Sequence, residues 1–141
     1  MDTDEHMDEY GVPQKRFSEW MQLKEKLHGK HHKPPFVSDG EIWWASIGEN
    51  VGYEINGKSD RFSRPVIIFK KLARGFYCVI PTTTQQRSGS WFVPFAHHKR
   101  ECTACLQQMR IIDYRRLWSK VGELDDSDFR KVKVGFKNLY L

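Results

Sequence analysis

Residues 64–84 read RPVIIFKKLARGFYCVIPTTT, and the two halves of this segment decide the fold. RPVIIFKK and GFYCVIPTT are rich in β-branched and aromatic residues, the composition of strands. The connection through Ala73, Arg74 and Gly75 is short enough for a hairpin, so the two strands should pair antiparallel. Working outward, EIWWASI at 41–47, SWFVPFA at 90–96 and TACLQQMR at 103–110 have the same character. NGK at 56–58 and RSGS at 87–90 supply turn signals between them. Five short strands so closely spaced predict a mainly β protein built on a small antiparallel β-barrel or sandwich.

Helices flank the strands. QKRFSEWMQLKEKLH at 14–28 places Phe17, Trp20, Met21 and Leu27 on one helical face, with Leu23 at its edge. GKHHKPP then reads as a linker, because Gly29 and two prolines cannot continue a helix. At the other end, DDSDFRKVKVGFKNLYL spaces Phe129, Val132, Phe136 and Leu139 at helical intervals. Its aspartates crowd the helix start, where the dipole favours anions. YRRLWSKVG at 114–122 is expected to form a short helical turn ending at Gly122. The domains expected are an acidic disordered tail at 1–13, an amphipathic helix and linker at 14–38, and a barrel domain at 39–141.

Charge is unevenly placed. Residues 1–13 hold five acids and no Lys or Arg, leaving 23 basic residues against 13 acidic ones in the rest, a net of +10. Such a body suits a polyanionic partner, nucleic acid first. The longest apolar run, FYCVI, falls far short of the roughly 20 residues that span a bilayer. The N-terminus lacks the layout of a secretory signal, and three cysteines argue against a disulfide scaffold. A soluble cytoplasmic protein with no membrane partner is expected.

Three segments together resemble the PemK/MazF family of toxin–antitoxin ribonucleases. They are GEIWWASIGENVGYEINGK at 40–58, RPVIIF at 64–69 and QMRIIDYRRLWSKVGEL at 108–124. IPTTT also falls where that family ends its third strand in a Pro-x-Thr step. The resemblance implies an SH3-like or CcdB-like barrel with a C-terminal helix, here carrying an N-terminal helical extension. It implies a homodimer that cleaves single-stranded RNA without a metal or other cofactor, leaving 2′,3′-cyclic phosphate and 5′-hydroxyl ends. It also implies a cognate antitoxin, with DNA reached only through that partner.

The residues fit such chemistry in part. Arg64, from the Arg-Pro step, offers a planar, permanently charged fork for phosphoryl oxygens. Thr83 matches the threonine of the Pro-x-Thr step; its hydroxyl is too weak an acid to be a base, so its role would be to donate to a phosphoryl oxygen. Alternation puts Thr82 and Thr84 on the other face, and the resemblance selects Thr83. The loop at 50–58 is similar to the family's flap. There Tyr53 would stack on a base, Glu54 would assist proton transfer and Lys58 would contact substrate. Gln107 and Gln108, ending the fifth strand, complete the expected substrate-binding set. Two departures stand out: SDRFS at 59–63 lengthens the approach to Arg64, and Gln107 replaces an acid found in some members.

Other constellations are weaker. The pairs His31-His32 and His97-His98 sit in basic loops and point apart, and Cys102-x-x-Cys105 lacks a second ligand pair for zinc. Arg110 and Asp113 are expected to pair as a structural ion pair. Of Trp43 and Trp44, one should fill the core while the other lies outside, over a dimer seam or the N-terminal helix. The alternative to a nuclease is a non-catalytic RNA- or protein-binding barrel module.

Overall fold

The computed structural model describes residues 15–141, so the acidic tail lies outside the described residues. Helix α1 (Phe17–His28) precedes the strands β1 (Glu41–Ser46), β2 (Ser63–Ala73), β3 (Phe76–Thr83), β4 (Phe92–His97), β5 (Arg100–Cys105), β6 (Arg110–Asp113) and β7 (Leu117–Glu123). Helix α2 (Asp126–Tyr140) ends the chain. The strands form one antiparallel sheet in the order β4-β5-β3-β2-β1-β7, with β6 also paired to β3.

The β2–β3 hairpin is the expected one. Ala73 pairs with Phe76 across Arg74 and Gly75, and Gly75 takes the positive φ of 87° that such a tight loop requires. Along β2 both faces are buried, and alternation sends neighbours into different cores. Val66 and Ile68 join Ala45, Ile47, Tyr77 and Val79 on one face. Ile67 joins Ile42, Ile80, Ala104 and Leu106 on the other. The second core is closed by α2 through Val132, Phe129 and Leu139, and Phe136 packs on Phe69 with ring centroids 4.8 Å apart. Asp125 caps α2 by accepting the Asp128 N–H at 2.8 Å.

Three expectations about the strands are corrected. The hydrogen-bonded path does not return on itself, so the sheet curls without closing into a barrel. The end strands β4 and β7 meet through a side chain: a Cβ on Gly122 would lie 2.4 Å from His97 Cε1, so the imidazole packs on the bare glycine. Seven strands replace five, because the stretch from Thr103 breaks at a 3-10 turn over Leu106–Gln108 before resuming as β6. Gln107 and Gln108 therefore sit in that turn. The expected helical turn covers only Tyr114–Arg116, and the rest of that segment is β7. Asp113 pairs with Arg115 at 3.0 Å, while Arg110 Nη1 donates to the Ile47 carbonyl at 3.0 Å.

Helix α1 buries a narrower stripe than expected. Trp20 and Leu27 are buried and Leu23 partly so, but Phe17 and Met21 remain 46% and 51% exposed. The helix packs on Phe62 and Trp118, forming a third small core. Trp43 fills the main core and Trp44 is outside, as expected, although the helix rests on other residues than Trp44. Phe62 belongs to the SDRFS segment, whose turn takes positive φ at Ser59 and Phe62 and tucks Phe62 under Trp20, with centroids 5.6 Å apart. Trp118 carries the cations of Lys30 and Arg61 at 4.0 and 4.1 Å from its ring centre. Arg116 lies 5.6 Å from the Trp20 ring centre and donates to the Ser46 carbonyl at 3.1 Å. Burial, reinforced by the Arg110 charge, pushes its pKa down to about 10. Among the described residues, no helix is long and apolar enough to cross a membrane.

Candidate active site

At the ends of β2 and β3 the sheet opens into a cleft of about 350 Å³. Among the described residues, Lys58, Arg64, Arg100 and the three threonines Thr82, Thr83 and Thr84 border it, and no Asp or Glu does. Arg64 is only 8% exposed. It pairs across β1 with Ala45, and its Nε donates to the Asn56 carbonyl. That bond holds the guanidinium against the underside of the 50–58 loop.

Register explains how Thr83 joins it. Val66 pairs with Pro81, and carrying that register two residues further sets Arg64 opposite Thr83. Cross-strand partners share a face, so both side chains leave the sheet on one side. Thr82 leaves on the other, is buried, and spends its hydroxyl on the Pro65 carbonyl at 2.7 Å. The Thr83 Oγ1 accepts the Gln85 N–H at 3.2 Å, which leaves its own proton to donate. Lys58 pairs with Ser63 in an isolated antiparallel bridge just before β2. Burial, and then the Arg64 charge beside it, lower its pKa. Two cations held this close repel each other and are relieved by an anion between them.

The remaining sequence-derived residues gather elsewhere. Glu54, Gln107 and Gln108 line a second depression of about 300 Å³, together with Asn50 and Arg110. Tyr53 stands fully exposed at the loop tip, outside both depressions. Gln108 clamps the loop: its Oε1 accepts the Ile55 N–H at 3.0 Å and its Nε2 donates to the Tyr53 carbonyl at 3.0 Å. Glu54 Oε1 accepts the Val51 N–H at 2.9 Å, and Asn50 Nδ2 ties the two arms by donating to the Ile47 and Ile55 carbonyls. The flap is thus a pre-formed loop whose backbone carbonyl orients Arg64.

Sequence reading missed Asn56, Arg100, Trp44 and His97 as parts of this region. For Arg100 and His97 the signal was present, since HHKR is a tight turn: His98 and Lys99 take positive φ, setting His97 opposite Arg100. Cys105 lies near Arg64, but burial pushes its thiol up to about 11 against the pull of Arg64 and Arg87, so it is inert at neutral pH.

Gly57 offers a test of how the flap seats the arginine. A Cβ there would fall 1.8 Å from the Phe62 carbonyl oxygen, which is backbone and cannot swing away. Gly57→Ala should therefore cost about 2–3 kcal/mol in a urea melt. It should also loosen the Lys58–Ser63 bridge; unchanged stability would show that the loop can shift freely.

The family model for the PemK-like, MazF-like toxin of type II toxin-antitoxin system matches residues 38–140, and the chain belongs to that family. MazF (Form-I) from Deinococcus radiodurans superposes with a TM-score of 0.62 at 19% identity, covering 74% of this chain and 97% of that one. MazE-MazF (Form-II) from the same organism gives 0.57 at 17% identity, with 74% and 96% covered. An endoribonuclease in complex with its cognate antitoxin, from a mycobacterial species, gives 0.56 at 14% identity, with 73% and 93% covered. At these identities the likeness is one of fold. No curated protein matches the chain.

Proposed function

We propose that this protein is a toxin-type endoribonuclease that cleaves single-stranded RNA, acts as a homodimer and is neutralised by a cognate antitoxin. The observation that carries the reading is a buried arginine, oriented by a flap carbonyl, opposite a threonine in a cleft that Lys58 and Arg100 also border. Such a site is complementary to a phosphodiester and to the extra negative charge of its transition state. In the reaction the ribose 2′-oxygen attacks phosphorus and gives up its proton to a base. The bond to the 5′-oxygen breaks and that oxygen gains a proton, leaving a 2′,3′-cyclic phosphate and a 5′-hydroxyl. No water is consumed.

Arg64 and Lys58 would neutralise the non-bridging oxygens, and Thr83 would donate to one of them. Glu54 and Tyr53 on the flap, with Gln107 and Gln108, would contact the flanking nucleotides; Gln108 would do so chiefly by fixing the flap. An antitoxin with an acidic segment would complement the same basic cleft. The mycobacterial and Deinococcus complexes make such a partner a natural expectation.

Incubating the purified protein with a long unstructured RNA in EDTA, then mapping the ends, tests this. Cleavage with cyclic-phosphate ends is expected, and binding with fully intact RNA would favour the non-catalytic module. Thr83→Val keeps the side chain's shape and removes one neutral donor. It should slow cleavage about 10- to 100-fold with little change in RNA affinity. An unchanged rate would remove Thr83 from the mechanism.

A further inference from the structure

A second basic cluster lies beside the cleft, where the linker after α1 meets the SDRFS segment. Lys30 Nζ and the Arg61 guanidinium sit 4.0 and 4.1 Å from the ring centre of Trp118, so two cations share one side chain. All three residues are fixed by specific bonds. The Lys30 N–H donates to the Leu27 carbonyl at 3.2 Å, and its own carbonyl accepts Arg115 Nε at 3.3 Å. Ser46 Oγ accepts Trp118 Nε1 and donates to the Arg61 carbonyl, both at 2.6 Å. Among the described residues neither cation is in an ion pair. Burial, and then the Arg61 charge, lower the Lys30 pKa. Like charges gathered on one ring are relieved by an anion between them.

We propose that Lys30 and Arg61, seated on Trp118, form a second phosphate-binding site that holds the RNA strand away from the nucleotide being cleaved. This rests on the RNA-cleaving reading and deepens it by assigning a contact outside the reaction centre. Position supports the assignment. Arg61 is three residues from Lys58, at most about 11 Å of chain, and Lys58 and Ser59 both line the cleft. Ser46 pairs with Ser63, another lining residue, so the ring that Ser46 holds adjoins the cleft. Arg64 pairs with Ala45, which puts Ser46 and that ring on the opposite face of the sheet. The site therefore meets a phosphate further along the strand, not the reacting one. The indole is taken up by the cations and by its packing on the Trp20, Leu27 and Phe62 core. It leaves neither a platform for a base nor an anchor for an apolar peptide side chain, so recognition here is ionic. Lys30 precedes the family-matched residues 38–140, and Arg61 lies in the SDRFS departure.

The test reads binding by fluorescence anisotropy across a salt series. The probe is a single-stranded oligonucleotide with 2′-O-methyl riboses, which lack the attacking hydroxyl, shortened one nucleotide at a time. With the longest probe, Lys30→Gln and Arg61→Gln should each reduce the slope of log affinity against log salt by about 0.7, and the double variant by about twice that. At about 0.1 M salt each single change should weaken binding roughly fivefold. Arg61→Lys keeps the charge and should keep the native slope. The difference between native protein and variants should disappear below a threshold length at which native binding still persists.

A native slope in the double variant would overturn the site, as would a loss of the same size at every probe length or a slope that Arg61→Lys fails to keep. So would an unchanged RNA slope with weakened binding of a glutamate-rich peptide, which would mark a protein contact instead. Failure of the native protein to cut ordinary RNA while the slope changes hold would overturn the nuclease reading and leave the phosphate site standing.

Discussion

Arg64→Ala should lower the single-turnover rate of RNA cleavage by at least about 10²–10³-fold, the scale reached when one preorganised charge-stabilising group is removed. Three features make the effect large. The guanidinium is nearly buried, so its field is poorly screened by water. It is already aimed, through the Asn56 carbonyl, before substrate arrives. Its neighbour Lys58 is partly desolvated, and burial followed by the Arg64 charge lowers its pKa, so it is a weaker substitute for a permanently charged guanidinium. Arg64→Lys separates charge from shape. It keeps a cation but loses the planar fork and the geometry of the flap bond, so its rate should fall between the two. Thermal melts on both variants would show whether the fold survives. A cleavage rate for Arg64→Ala within threefold of the native protein would remove this residue from the mechanism.

Much of the architecture was legible because it is written in local patterns. The hairpin from Arg64 to Thr83 follows from strand composition and one glycine, and α2 from its apolar spacing and its aspartate cap. The pairing of Arg64 with Thr83 needed the register of that hairpin, and the family pattern supplied the choice among the three threonines. What was lost depended on distance or on broken periods. Strand β7 carries no clean alternation, since its ladder with β1 shifts register twice, so Leu117, Trp118 and Val121 do not read as one face. The 3-10 turn at Leu106–Gln108 hid the boundary between β5 and β6 inside one continuous run. Gln108 meets the loop at Tyr53 and Ile55 across more than fifty residues, and no local pattern encodes a clamp of that reach.

The SDRFS departure has a physical account once α1 is placed. The extra residues let the chain turn through left-handed backbone at Ser59 and Phe62 and present Phe62 to Trp20. Arg16 seals the arrangement from both sides. Its backbone N–H donates to Glu49 Oε2 at 2.7 Å and its Nη2 to the Ser59 carbonyl at 2.8 Å. Ser46 Oγ adds a bond to the Arg61 carbonyl at 2.6 Å. A helix outside the family-matched residues thus rests on the segment that leads into Arg64.

Trp20→Ala should therefore be the most damaging single change away from the cleft, costing about 3–5 kcal/mol, the range for deleting a buried aromatic side chain. The ring is 5% exposed and is the centre of the third core. Its loss would uncover Phe62 and leave Arg116 facing solvent where the indole now lies. Since residues 48–63 span both the flap and the turn before Arg64, cleavage should slow about tenfold as well. Gly48→Ala approaches the same contact from the other side. Gly48 holds a φ of 90°, and a Cβ there would lie 2.3 Å from the Trp20 ring, so the methyl group and the indole cannot both stay in place. Met21→Ala is the control: one residue along the same helix but half exposed, it should change stability by no more than about 0.5 kcal/mol. Urea melts paired with cleavage rates would decide it. If Trp20→Ala and Gly48→Ala both matched Met21→Ala, α1 would be an appendage. If both lowered stability and rate together, the helix would be part of what holds the arginine in place.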